Sequence, residues 1–143
     1  MTRNPSDPSL TEAEKRQIGL DVVAKFLPPD AVQGMGQAPG AGFASFMSEL
    51  ALRNVFSEIW ARPGLDFRSR SLVTLGILIA LRAHEELRHH VAIALKNGVT
   101  VQEIEEVLYH ASAYAGFPAA NSARVVAAEV IGKATSARPI GDQ

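Results

Sequence analysis

Leu72-Val73-Thr74-Leu75-Gly76-Ile77-Leu78-Ile79-Ala80-Leu81 is the stretch whose reading decides the fold. It carries one hydroxyl and no charge, and it shows no strict alternation of apolar and polar residues. With its flanks it predicts a helix from Arg68 to about Ala83, with Asp66 placed to cap it. A helix that is apolar on every face must be surrounded, either in the middle of the fold or partly by another subunit. The run is about half the roughly 20 residues that a membrane span needs, and Thr74 and Gly76 interrupt it. No membrane segment is therefore expected.

Downstream, a helix rich in glutamate and histidine should end at Gly98, a glycine suited to a left-handed C-cap. Thr100 with Glu103 has capping-box spacing and predicts a helix to about Ala115. Gly116-Phe117-Pro118 breaks it, and an Ala-rich helix should run from Ala119 to about Ala134. The polar tail after Thr135, ending in Arg138-Pro139-Ile140-Gly141, reads as disordered. Upstream, Arg62-Pro63-Gly64 closes a helix over Phe43–Trp60, whose apolar residues mostly recur at helical spacing. Residues 28–42 hold three prolines and four glycines, from which no regular element is expected. Thr11 with Glu14 predicts another capping box, on a helix that Pro28-Pro29 stops. Residues 1–9 read as a loose arm. Nothing reads as a strand, so the expectation is an all-α fold of about six helices, one domain over residues 1–143.

Composition narrows the function. A net charge of −1 offers no basic field for nucleic acid or an anionic membrane. There is no cysteine, which removes disulfides, thiolate nucleophiles and cysteine-ligated metals together. The N-terminus lacks an apolar signal core, and a cytoplasmic location is expected.

All four histidines (His84, His89, His90, His110) fall in the Glu/His helix and the one after it. Taking Leu87 as zero and advancing about 100° per residue, Glu86 falls at roughly −100° and His90 at roughly −60°. They flank a stripe of Leu87, Val91, Ala94 and Leu95. Glu85 and His89 fall on the opposite face, beside Lys96. An inward carboxylate and imidazole one turn apart can share a proton, which makes Glu86/His90 the most economical proton-transfer site in the chain. The alternative is a half-buried helix edge where Glu86 simply satisfies His90. His110 and Tyr114, also one turn apart, either line a pocket or subunit contact or stand in solvent. Arg68 and Arg70 sit in the first turn of the apolar helix, where the dipole disfavours cations, so they should answer to a carboxylate of the protein or of a ligand. Trp60, the only tryptophan, is either a core anchor or a pocket wall. Glu86-Leu87-Arg88-His89 has the Glu-x-x-His spacing of di-metal bundles, but one motif with its members on different flanks argues against a metal, even with His84 nearby.

Five blocks in order resemble the carboxymuconolactone decarboxylase family. They are Glu58-Ile59-Trp60-Ala61-Arg62-Pro63-Gly64-Leu65, Arg70-Ser71-Leu72-Val73-Thr74, Glu85-Glu86-Leu87 with His90, Lys96-Asn97-Gly98-Val99-Thr100, and Tyr114-Ala115-Gly116-Phe117-Pro118-Ala119-Ala120-Asn121-Ser122-Ala123. The likeness covers roughly residues 45–132. In the wider superfamily, alkylhydroperoxidase D-like proteins carry a Cys-x-x-Cys-x-x-x-His motif. Its cysteine positions fall on Ala83 and Glu86 here, so no peroxidase activity is implied. The resemblance implies an alkylhydroperoxidase D-like helical protomer in a homo-oligomer, a trimer or hexamer, with sites near or between subunits. It also implies a decarboxylase of a small carboxylate-bearing lactone, needing no cofactor or metal because the substrate is its own electron sink. On that resemblance Glu86 and His90 are the catalytic candidates, with Arg70 for the substrate carboxylate. Trp60, His89, His110 and Tyr114 are the further substrate-binding candidates. The family tends to show Arg-Glu-Glu-Glu-Leu where this chain has Ala83-His84-Glu85-Glu86-Leu87, an aliphatic residue at His89 and glutamine at His110. These departures bear on the substrate more than on the fold. The alternatives are a relative with another small acid or lactone as substrate, and a non-catalytic helical oligomer.

Overall fold

A computed structural model describes residues 4–137, and every regular element among them is helical. Of the arm expected to be loose over 1–9, residues 1–3 lie outside the described residues, whereas residues 4–10 form turns. There the Asp7 N–H donates to the Asn4 carbonyl at 3.0 Å and the Leu10 N–H to the Asp7 carbonyl at 3.2 Å. Of the tail expected to be disordered after Thr135, residues 138–143 lie outside the described residues and Ser136 is still helical. Among the described residues there are seven α-helices: α1 (Glu12–Val23), α2 (Pro29–Gly36), α3 (Met47–Leu50, continuing as a π-helical stretch Ala51–Trp60), α4 (Phe67–Leu81), α5 (His84–Lys96), α6 (Val101–Tyr114) and α7 (Phe117–Ser136). None is long and apolar enough to cross a membrane. The chain divides into two compact units, one ending at Asp66 and the other beginning at Phe67.

In the first unit, α2 corrects the expectation of an irregular stretch over 28–42. Pro28 takes the extended N-cap conformation and Pro29 sits inside the first turn, where a missing N–H costs nothing and φ is already set. The Val32 N–H donates to the Pro28 carbonyl at 3.1 Å and closes that turn. Proline here starts a helix rather than forbidding one. The expected Phe43–Trp60 helix starts later, because residues 43–46 form a turn with Ala44 at φ +55°. It then widens: the Ala61 N–H reaches back five residues to the Phe56 carbonyl at 3.1 Å. Leu52 and Ser57, five apart, are both fully buried. The α1 helix, opened by the expected Thr11/Glu14 capping box, lies against this π-helical stretch. Contact is closest at Gly19, where an added Cβ would stand 2.2 Å from the Leu52 carbonyl oxygen. Phe26, Phe56 and Trp60 form an aromatic cluster with centroids 5.3–6.3 Å apart. The buried Glu49 carboxylate accepts from Arg16 Nε at 2.6 Å and is paired with Arg53 Nη2 at 3.2 Å, which makes its burial tolerable.

In the second unit, α4–α7 enclose one apolar core built on Leu75, Ile79, Leu87, Val91, Ile104 and Val126 with neighbouring alanines. The α4 helix meets its need for surroundings only in part. Ser71, Leu75 and Ile79 are buried, whereas Val73 and Ile77 remain 53% exposed and Leu81 70%. Gly98 closes α5 at φ +89°, as expected. The Val99 N–H bonds the Ala94 carbonyl at 3.0 Å and the Gly98 N–H bonds Leu95 at 3.2 Å, the paired bonds of a Schellman cap. The same bond pattern ends α4, but with Arg82 at φ +54° where glycine is usual. The Thr100/Glu103 box is complete: the Glu103 N–H donates to Thr100 Oγ1 at 3.1 Å, and Glu103 Oε2 accepts from the Thr100 N–H at 2.9 Å. Thr100→Ala is expected to cost about 1 kcal/mol, read as a lower urea midpoint with an unchanged m-value.

Candidate active site

One flank of α5 carries Glu86, His90, Ile93 and Asn97. Asn97 Nδ2 donates to Ser71 Oγ on α4 at 3.1 Å, so this is the flank turned toward α4. Ile93 on it is buried and His90 is half-buried. Glu86, read from the sequence as inward, is exposed instead, because its position falls past the edge of the buried face. Glu85 and His89 point to solvent as expected. Arg88, on the other side of the stripe, donates to Glu129 of α7. The pair on the α4-facing flank is thus asymmetric: a half-buried imidazole with an accessible carboxylate one turn before it. The carboxylate stands in water while the imidazole is partly screened from it.

Burial pushes the His90 pKa below its ordinary value of 6.5, while the nearby Glu86 charge pulls it up and His89 adds to the lowering. The folded protein therefore takes up this proton less readily than the unfolded chain. His90 costs no stability above about pH 6.5, and the cost grows as pH falls from there toward the depressed folded value. Urea midpoints of wild type and His90→Gln are expected to agree at pH 8 and to diverge below pH 6.5, with the wild type losing more.

The other candidates occupy different places. Arg70 is half-buried in the first turn of α4, next to Ser71 and therefore near the Asn97 end of α5. That is about 10 Å along the α5 axis from His90, at 1.5 Å per residue. Arg68 answers a carboxylate of the protein, donating to Glu103 Oε1. Trp60 is 5% exposed within the aromatic cluster of the first unit. His110 and Tyr114 are exposed on α6, with ring centroids 4.9 Å apart, and they border a groove of about 690 Å³ between α4 and α6. Neither Glu86 nor His90 lines that groove. The structure thus groups Glu86 with His90 on one flank of α5, and His110 with Tyr114 on α6 at the α4/α6 groove. Glu106 also lines the α4/α6 groove and was missed. Its i,i+4,i+8 spacing with His110 and Tyr114 was the available signal. His84 Nε2 is buried without a hydrogen-bond partner. Among the described residues no three His, Cys, Asp or Glu side chains converge to hold a metal ion.

Comparison with known proteins adds a decisive match: the model of the carboxymuconolactone decarboxylase family covers residues 48–129, more than half of the chain. The chain belongs to that family. The match spans the π-helical stretch and α4–α6 and includes every candidate site residue. The chain is 46% identical over 88 residues to 4-carboxymuconolactone decarboxylase of Acinetobacter baylyi, covering 62% of this chain and 63% of the relative. It is 42% identical over 83 residues to nitrosuccinic acid decarboxylase of Metarhizium robertsii, covering 58% of each. An uncharacterised 15.0 kDa protein of Paracoccus denitrificans is 35% identical over 77 residues, covering 52% of this chain and 58% of the relative. The chain therefore matches about three fifths of the length of these family relatives.

Proposed function

We propose that this protein is a cofactor-free carboxy-lyase acting on 4-carboxymuconolactone, as part of aromatic-compound breakdown in the cytoplasm. The observation that carries the reading is the Glu86/His90 pair on the α4-facing flank of α5, in a family whose 46% identical member is named for that decarboxylation. The substrate bears a carboxylate γ to an unsaturated lactone carbonyl. As the C–C bond to CO₂ breaks, its electron pair moves through the double bond into the carbonyl and leaves a dienolate. Protonation at the carbon α to that carbonyl gives 3-oxoadipate enol-lactone. The protein has three tasks: to hold the spectator carboxylate, to stabilise the developing oxyanion and to deliver one proton.

Arg70 takes the carboxylate in this reading. His90 passes a solvent proton to the dienolate carbon, and Glu86 aids its loading, since the Glu86 charge favours the imidazolium that burial opposes. In this reading His89 walls a site across a contact between protomers of a trimer or hexamer, whereas Trp60 belongs to the aromatic cluster of the first unit and His110 and Tyr114 line the separate α4/α6 groove. The exposed Val73, Ile77 and Leu81 of α4 supply apolar surface for such a contact. The 42% identity to a nitrosuccinic acid decarboxylase favours a second reading, in which the same residues decarboxylate another small acid.

The test is to incubate chelator-treated protein with 4-carboxymuconolactone and follow products by proton NMR. Formation of 3-oxoadipate enol-lactone above the buffer blank is the expected result. Decay at the blank rate removes this substrate, and turnover of nitrosuccinate under the same conditions would establish the second reading.

A further inference from the structure

We propose that the groove between α4 and α6 is a second ligand site, one that takes a small planar molecule bearing a neutral or cationic head. Two facing rows build it, each at i,i+4,i+8: Leu72, Gly76 and Ala80 on α4, and Glu106, His110 and Tyr114 on α6. The hollow follows from residue choice, because a Cβ placed on Gly76 would meet nothing within 4 Å. Its volume of about 690 Å³ falls in the usual range of roughly 300–1,000 Å³ for small-molecule sites. The His110 and Tyr114 rings lie 4.9 Å apart and 30° from parallel, leaving ring faces to a planar guest.

Charge selects the guest. Both oxygens of the neighbouring Glu103 are engaged, one by Arg68 and one by the Thr100 N–H. Glu106 makes no hydrogen bond or ion pair among the described residues, and no lysine or arginine lines the groove. An anion would meet an unbalanced carboxylate, whereas a cation or an N–H donor meets a partner and two aromatic faces. This is the opposite preference to that of the Arg70 side of α4, so the site stands independently of the decarboxylation reading.

Benzamidine, benzamide and benzoate share one shape and differ in charge, which makes them suitable probes. Titrations of the full chain would be followed by NMR of the His110 and Tyr114 rings. Benzamidine is expected to bind about tenfold tighter than benzoate, from one exposed charge pair plus one cation–π contact. Glu106→Gln should bring benzamidine to the benzamide level, and Gly76→Leu should abolish binding of all three while circular dichroism keeps the helical signal. Equal affinity for benzoate, or ring shifts that persist in Gly76→Leu, would overturn the proposal. Should Gly76→Leu not fold, an unchanged benzamidine affinity in Glu106→Gln overturns it alone. A groove that proves to be a contact between copies overturns it as well, and that outcome is read by sedimentation as a lower assembly mass in Gly76→Leu or on addition of benzamidine.

Discussion

Glu86→Gln and His90→Ala are each expected to lower decarboxylation turnover by about 10²–10⁴-fold, the range of a positioned proton donor. That corresponds to roughly 3–5 kcal/mol of transition-state stabilisation. Neither change should disturb folding, because Glu86 is exposed and His90 only half-buried. Their pH profiles carry more information than their rates. Burial holds the His90 pKa below 6.5, with the Glu86 charge as the main opposing influence. If imidazolium is the acid, kcat/KM falls as pH rises through that depressed value. Glu86→Gln removes the opposing charge and should move the falling limb to still lower pH. A limb that stays in place or moves up would separate Glu86 from proton loading. Full activity in both variants would end the assignment.

The largest expected stability effect lies far from this chemistry, at Gly19. In a helix interior, glycine to alanine normally stabilises by about 1 kcal/mol. At Gly19 the new Cβ would sit 2.2 Å from the Leu52 carbonyl oxygen, and that obstacle is backbone. Either α1 or the π-helical stretch must then shift, and overpacking of this kind costs about 1–3 kcal/mol or more. A clash this short lies at the upper end of that range and outweighs the propensity, so Gly19→Ala is expected to destabilise by roughly 2 kcal/mol net. Gly34 in α2 supplies the control. A Cβ there meets nothing within 4 Å, so Gly34→Ala should raise stability by roughly 0.5–1 kcal/mol. Opposite signs in paired urea titrations are the expected pattern. A stable Gly19→Ala would mean that α1 is not held tightly against Leu52.

Local chemistry was legible wherever a few adjacent residues settle it. Both capping boxes and the left-handed Gly98 formed at the expected residues, because a cap needs only a side chain and a backbone N–H three residues away. The helical wheel placed Leu87, Val91 and Ala94 inward and His89 outward, since one helix fixes its own faces. It failed at Glu86, whose exposure depends on how far the packed neighbours extend around α5. Composition failed at α2, where Pro28-Pro29 reads as a stop until the position of proline within the first turn is known. The π-helical widening of Ala51–Trp60 also escaped the periodicity, which does not encode how closely Gly19 lets α1 approach.

By itself, then, the sequence determined that the chain is helical, where its main caps fall, to which family it belongs and that thiol chemistry is absent. Tertiary structure decided which flanks meet. His90 faces α4 while His110 and Tyr114 face a different side of the same helix, a separation that no spacing rule contains. The reason is physical: periodicity orients a side chain about its own helix axis, but the neighbour on that side is chosen by core packing between residues far apart in the chain.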